Sequence, residues 1–135
     1  MRTYIDSGVL ISAARGTAPV SELALPFLYD AAREYVTSDC VRLELVPKAK
    51  YHGRHEEVEF YEAFFSNAVR FIPTSEALVQ LAYEEACRCG LRALDAIHIA
   101  SAVFAGAEEL ITSERATKPM HRTRLVRVIS IFGAE

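Results

Sequence analysis

Four acidic side chains, far apart in the chain, sit in apolar surroundings. Asp6 follows Thr3-Tyr4-Ile5, Glu44 lies inside Val41-Arg42-Leu43-Glu44-Leu45-Val46-Pro47, Asp95 opens the run through Ala102, and Glu114 closes Leu110-Ile111-Thr112-Ser113-Glu114. Carboxylates in apolar segments are costly to bury unless something positive neutralises them. Four that converge on folding make a site for a hard, oxygen-seeking divalent cation, Mg2+ or Mn2+. Such an ion acidifies a coordinated water and draws charge from oxygens bound beside it. Taken singly, each acid also reads as a helix cap, a turn residue or a surface salt bridge. Only their convergence gives the metal reading content. Ser7 and Thr112 are placed to hold the acids, or metal-bound water, by hydrogen bonds. His98 falls one helical turn after Asp95 and within reach of it, but a lone histidine on a buried helix reads as a hydrogen-bonded core residue and is left out of the chemistry.

The elements that would position these groups are short. Strands are expected at residues 3–5, 35–37, 69–72, 109–112 and 126–131, each apolar and bounded by polar or turn-forming residues. Helical stretches separate them. Pro26 interrupts a periodic segment from Val20 to Glu34, which predicts a kinked helix or one that begins beside the proline. Phe60, Tyr61, Phe64 and Phe65 form the apolar stripe of an amphipathic helix over residues 56–67. A further helix over 75–89 is capped by Thr74 or Ser75 and stopped by Gly90. Residues 95–105 are apolar around almost the whole circumference, so that helix lies deep in the fold and its Asp95 and His98 need partners. Strand alternating with helix predicts an α/β sandwich on a mainly parallel sheet, in a single domain over residues 1–135. Functional groups of such sheets gather outside the carboxyl ends of the strands. Asp6 and Glu114 directly follow strands, and Glu44 and Asp95 lie near the starts of helices on the same edge.

The bulk numbers narrow the function class. A chain of 135 residues, 51% hydrophobic and 24% charged, has the balance of a globular domain. A net charge of −3 argues against coating nucleic acid through an overall positive field. Basic residues gather locally, Lys48, Lys50, His52, Arg54 and His55 after Glu44, and Arg115, Lys118, His121, Arg122 and Arg124 after Glu114. Lys48, Arg115, Lys118 and Arg122 are the candidates to contact a nucleic-acid backbone, which positions a substrate without reading its sequence. No apolar run is long enough to cross a bilayer, and Asp6 interrupts the N-terminus where a signal peptide needs apolar residues. The expectation is a cytoplasmic protein. The three cysteines include Cys87-Arg88-Cys89, which has neither the spacing of a redox motif nor enough companions for zinc, and they read as reduced structural thiols.

Three blocks carry a resemblance to a known family. Tyr4-Ile5-Asp6-Ser7-Gly8-Val9-Leu10-Ile11, Leu43-Glu44-Leu45-Val46-Pro47-Lys48 and Leu91-Arg92-Ala93-Leu94-Asp95-Ala96-Ile97-His98-Ile99-Ala100-Ser101-Ala102 resemble the PIN-domain family, and within it the VapC-like ribonuclease toxins of VapBC toxin–antitoxin modules. The last block is the most specific. The resemblance runs nearly end to end and implies a PIN-like three-layer α/β/α sandwich with a mainly parallel, five-stranded sheet. It also implies a Mg2+- or Mn2+-dependent endoribonuclease whose metal-site acids are Asp6, Glu44 and Asp95. Where the family usually carries an Asp in a Thr-x-Asp segment, this chain has Thr112-Ser113-Glu114, one methylene longer. The implied partners are an RNA substrate, a VapB-like antitoxin whose tail places a basic side chain at the acids, and a second copy in a homodimer, with no membrane.

The chemistry fits those acids. Phosphodiester cleavage needs a nucleophile near neutral pH and stabilisation of negative charge on the phosphoryl and leaving oxygens, and a bound cation addresses both. One tightly held ion is expected in the free protein, with a second arriving alongside substrate phosphate. Rival readings are a PIN-fold RNA-binding module with weak or no cleavage, a non-toxin PIN nuclease of RNA processing, and a phosphoacceptor receiver domain. The last needs an Asp after the third strand, where Phe71-Ile72-Pro73-Thr74 offers none.

Overall fold

A computed structural model describes residues 1–134. Five strands, β1 (Arg2–Ile5), β2 (Glu34–Ser38), β3 (Arg70–Ile72), β4 (Glu109–Thr112) and β5 (Arg127–Ser130), form one sheet in the order β3-β2-β1-β4-β5. Every pairing is parallel, with Tyr4 opposite Val36 on one side and Leu110 on the other. The expected mainly parallel sheet is wholly parallel. Six helices connect the strands: α1 (Ser7–Arg15), α2 (Val20–Leu28), α3 (Asp39–Tyr51), α4 (His55–Asn67), α5 (Glu76–Cys89) and α6 (Ala93–Phe104), with a 3-10 turn over Pro119–Arg122. No helix among the described residues is long and apolar enough to cross a membrane.

Local signals explain the boundaries. The Ser38 and Ser75 side chains accept from the amides of Val41 and Leu78 and so cap α3 and α5. Gly90 ends α5 with φ 69°, a left-handed conformation that a side chain disfavours. Pro26 sits in the last turn of α2, so the periodic segment expected to reach Glu34 stops at Leu28. The Asp30 side chain accepts from the Ala32 amide, and the resulting turn leads into β2.

The central strands β1 and β4 are buried along most of their length, as a parallel sheet covered on both faces requires. Tyr4, Ile5, Leu110 and Ile111 pack with Val9 and Leu10 of α1 and with Ile99 and Ala100 of α6 in one continuous core. The aromatic stripe of α4 divides. Tyr61 and Phe65 enter the core, whereas Phe60 and Phe64 are half-buried and border a cleft with Leu28, Tyr29 and Tyr35.

At the amino-terminal edge of the sheet a carboxylate is buried with its own counter-charge. Glu109 is 2% exposed, and its Oε2 accepts from Thr3 Oγ1 at 2.6 Å and from Arg33 Nε at 2.5 Å. The Arg33 guanidinium also reaches Asp30 and lies over the Phe27 ring. Burial pushes the Glu109 carboxyl up, but the bonds from Arg33 and Thr3 outweigh it and hold the group below its ordinary range. A lowered folded-state pKa stabilises above the unfolded value and loses that contribution as pH falls. Glu109→Gln is therefore expected to cost about 1–3 kcal/mol at pH 7, with the deficit shrinking as pH drops below the ordinary glutamate range. Urea unfolding of both proteins at pH 7 and in mild acid checks this; an equal deficit at the two pH values would exclude the ion pair as its source.

Candidate metal centre

The sheet reverses its winding at β1, because β2 and β3 extend from one side and β4 and β5 from the other. A crevice therefore opens between the connections leaving β1 and β4. Both connections carry an acid. Asp6 leaves β1 and its amide donates to the Ile111 carbonyl of β4 at 3.0 Å, which fixes it beside the end of that strand. Its side chain caps α1, with Oδ1 accepting from the Gly8 amide at 3.2 Å, and Oδ2 accepts from Thr112 Oγ1 at 2.8 Å. The helix-cap reading and the site reading of Asp6 thus coexist, since the carboxylate is anchored at both oxygens and still lines the crevice.

Glu114 follows β4, and its amide donates to Thr112 Oγ1 at 3.0 Å. One hydroxyl therefore couples the two strand-end acids. Ser7 does the same for another pair, lying 3.3 Å from Asp6 Oδ1 and 3.1 Å from Glu44 Oε1. Asp95 stands in the first turn of α6, where the helix amides favour negative charge. Asp6, Glu44, Asp95 and Glu114 all line one cleft, shared with Ser7, Gly8, Arg92, His98 and Ser113.

Two basic side chains of this cleft, His98 and Arg92, lie outside the set expected from the sequence. His98 is 2% exposed and turns to Glu44 rather than Asp95, with Nε2 2.5 Å from Glu44 Oε1 and Nδ1 2.8 Å from the Tyr4 hydroxyl. It is a core residue, as expected, and it is also part of the site wall. Burial pushes the imidazole down, but the hydrogen bond to Glu44 and the charges of Asp6, Glu44 and Asp95 raise it above its ordinary value. Burial likewise pushes Glu44 up, and the bonds from His98, Ser7 and Cys40 win and lower it. The two shifts describe one hydrogen-bonded pair and count once. All three contacts fall on Oε1 of Glu44.

Arg92 is the second. Its side chain is 78% exposed and spans two acids, Nε lying 3.4 Å from Asp95 Oδ2 and Nη2 3.0 Å from Glu114 Oε1. The signal available in the sequence was its spacing three residues before Asp95. None of the four basic residues expected to contact nucleic acid, Lys48, Arg115, Lys118 and Arg122, lines the cleft, whereas Arg92, outside that set, does. Arg122 donates to the Cys89 carbonyl at the end of α5, and the Arg115 guanidinium lies 4.2 Å from the centre of the Phe132 ring. Lys48 and Lys118 are exposed.

The donor set suits a divalent cation. Four carboxylates share the cleft with one exposed guanidinium and the His98 ring, a lining rich in hard oxygen donors, although no three of the four bring carboxylate oxygens within 4.8 Å of one another. The PIN domain family's model matches residues 3–120, a span that takes in all four acids. The chain belongs to the PIN domain family. Solved structures similar in fold to this PIN domain include VapBC2 from Rickettsia felis bound to a DNA fragment from its promoter, at TM-score 0.70 and 16% identity over 96% of this chain and 98% of that one. A toxin–antitoxin complex from Klebsiella pneumoniae gives TM-score 0.72 and 22% identity over 97% and 98% of the two chains. DNA-bound VapBC from Salmonella typhimurium gives 0.68 and 16% over 97% and 98%. No curated protein matches the sequence.

A cation entering this PIN cleft must compete with Arg92 for Asp95 and Glu114. Millimolar Mg2+ or Mn2+ is expected to raise the melting temperature by binding the folded state, at roughly 3–5 °C per kcal/mol for a chain this size. Arg92→Ala is expected to tighten that binding by up to about fivefold, the worth of exposed ion pairs. Calorimetric titration of both proteins decides it, and weaker binding in the alanine variant would show that Arg92 supports the site instead of competing for it.

Proposed function

We propose that this PIN-domain chain is a Mg2+- or Mn2+-dependent endoribonuclease and the toxin of a VapBC-type toxin–antitoxin pair. One observation carries the reading: four carboxylates from four separate segments line one cleft at the switch point of a parallel sheet, with less positive charge than they need. Asp6, Glu44, Asp95 and Glu114 would hold the ion, which when bound supplies an acidified water and draws charge from the scissile phosphate.

The chain's own residues do the positioning. Thr112 and Ser7 lock the Asp6 oxygens, so the central ligand enters the reaction without rotamer freedom to lose. His98 and Ser7 engage Oε1 of Glu44, keep that carboxylate ionised and leave Oε2 for the cation. The extra methylene of Glu114 lets its carboxylate reach Arg92, and substrate phosphate entering the cleft would take over that guanidinium. Arg92 thus acts first as a counter-charge and then as a phosphate contact. Lys48 and Lys118 extend the positive surface along the RNA backbone, with Arg115 and Arg122 adding charge from positions already tied to the fold.

The antitoxin part of the proposal rests on the toxin–antitoxin complexes among the similar folds and on the cleft bordered by Phe60, Phe64, Tyr35, Leu28 and Tyr29. Its rings suit the apolar side of a partner segment. That cleft lies beside the start of β2, at the amino-terminal edge of the sheet, so a basic side chain bound bidentately by the carboxylates at the other edge would come from a separate part of the partner. A homodimer completes the proposed assembly.

Purified protein incubated with structured RNAs and Mg2+ is expected to cleave them, to stop with chelator, and to slow by on the order of a hundredfold or more as Asp6→Asn or Asp95→Asn. Cleavage surviving both treatments would sink the reading, and RNA binding without metal-dependent cleavage would favour the binding module. Lys48→Glu with Lys118→Glu is expected to weaken RNA binding and to flatten its salt dependence by roughly one unit of slope per residue. A salt titration with unchanged slope would remove both lysines from the RNA path.

A further inference from the structure

Beside the oxygen donors, the same fold assembles a set of different chemistry. Cys40 and Glu44 lie one turn apart on α3, and His98 faces them from α6. Cys40 Sγ, a Glu44 carboxylate oxygen and a His98 ring nitrogen all lie within 4.8 Å of one another. We propose that Cys40, Glu44 and His98 form a binding site for a borderline-soft transition cation, Zn2+ by preference, distinct in donor chemistry from the hard-cation cleft and sharing Glu44 with it.

Three arguments support the assignment. The first is the donor set. Thiolate, imidazole and one carboxylate are a three-ligand complement for zinc with a fourth position open to water, and Mg2+ has no use for the first two. The second is spacing. All three donor atoms already lie within 4.8 Å of one another; tetrahedral bonds of ordinary length put zinc ligands roughly 3.3–3.7 Å apart, so Sγ, 3.9 Å from Glu44 Oε1, closes slightly and Nε2, hydrogen-bonded to it at 2.5 Å, moves apart as the cation enters. The third is how the histidine is held. His98 Nδ1 meets the Tyr4 hydroxyl at 2.8 Å, Tyr4 meets Ser38 Oγ at 2.8 Å, and Ser38 caps α3, the helix that carries Cys40 and Glu44. That chain fixes the ring with Nε2 toward the other two donors. An outer hydrogen bond on the far nitrogen is the support that metal-bound histidines require.

Binding releases the Cys40 thiol proton, and also the Nε2 proton where His98 is imidazolium, so the cation replaces the proton now lying between Nε2 and Oε1. It also takes Oε1 of Glu44 and pulls that carboxylate toward α6. Zinc therefore acts as an inhibitor of any hard-cation chemistry in the neighbouring cleft. Cys87, which is exposed, and Cys89, whose Sγ faces Glu85, belong to neither site.

The test reads metal binding directly, so it stands apart from the nuclease reading. Metal-free protein titrated with Co2+ is expected to develop a thiolate-to-cobalt charge-transfer absorption at one equivalent, and one equivalent of Zn2+ is expected to abolish it. Zinc-edge X-ray absorption of the loaded wild-type protein is expected to show a single sulfur neighbour, a result that needs no variant. Competition against a chromophoric chelator is expected to give Cys40→Ser a zinc affinity lower by roughly a hundredfold or more, and Cys87→Ser the wild-type affinity. No charge-transfer absorption, no sulfur neighbour, or an equal loss in Cys87→Ser would overturn the site.

Discussion

Four acids that line one cleft beside a single exposed guanidinium and a buried histidine are the constraint to which the surrounding structure answers. The parallel sheet with its reversal at β1 is what brings the acids together, because it sends the connections after β1 and β4 out on the same edge, next to each other. The hydroxyls of Thr112 and Ser7 hold the Asp6 carboxylate, Ser7 also reaches Glu44, and Thr112 fixes the backbone at Glu114, while the carboxylates of Asp95 and Glu114 are met by Arg92. Asp6 is held at both carboxylate oxygens while 7% exposed, a rigidity that a surface carboxylate lacks.

The same chain shows how it neutralises a buried acid when nothing else is wanted there. Glu109 receives Arg33, itself largely sheltered and steadied by Asp30 and the Phe27 ring, together with a hydroxyl from Thr3. Glu85, fully buried, receives Arg88 and Thr123 and so ties α5 to the segment beyond the 3-10 turn. At the opposite edge of the sheet a single solvent-exposed arginine serves two acids at once, an arrangement that water and salt weaken. The contrast within one molecule is more telling than the acid count. Compared with those two sites the cleft has less fixed positive charge per acid, and that is where an external cation would find oxygen donors.

Much of this was legible before folding, and what was not has a physical reason. The strands at 3–5, 109–112 and near 35–37 were visible because fully buried parallel strands are short apolar runs, and the Ser75 and Gly90 boundaries of α5 because caps and left-handed glycine are local devices. Asp6 and Glu114 were readable as acids directly after such strands. His98, Arg92 and Cys40 were not readable in their roles. His98 is joined to Glu44 across 54 residues, and Arg92 to Glu114 across 22, distances over which no periodicity speaks. The zinc reading was set aside because Cys87-Arg88-Cys89 lacks companions. The cysteine with companions is Cys40, and its partners come from the next turn of its own helix and from another helix altogether. Arg122 belongs to a basic cluster in the sequence, and its contact with the carbonyl at the end of α5 joins residues 33 apart, which sequence proximity does not announce.

Glu44 belongs to both donor sets. Its Oε1 gathers a hydroxyl, a thiol and an imidazole, and the residue lines the cleft together with Asp6, Asp95 and Glu114. Behind it, Tyr4 and Ser38 run from the middle of the sheet to the capped start of α3, so the orientation of His98 is set by the core and not by the solvent. A carboxylate with soft donors on one side and hard donors on the other cannot serve both fully, since drawing it toward sulfur and nitrogen withdraws it from the oxygens. The balance between the two is set by packing that is already fixed when the chain folds, and Glu44 is the residue through which either kind of cation would sense the other.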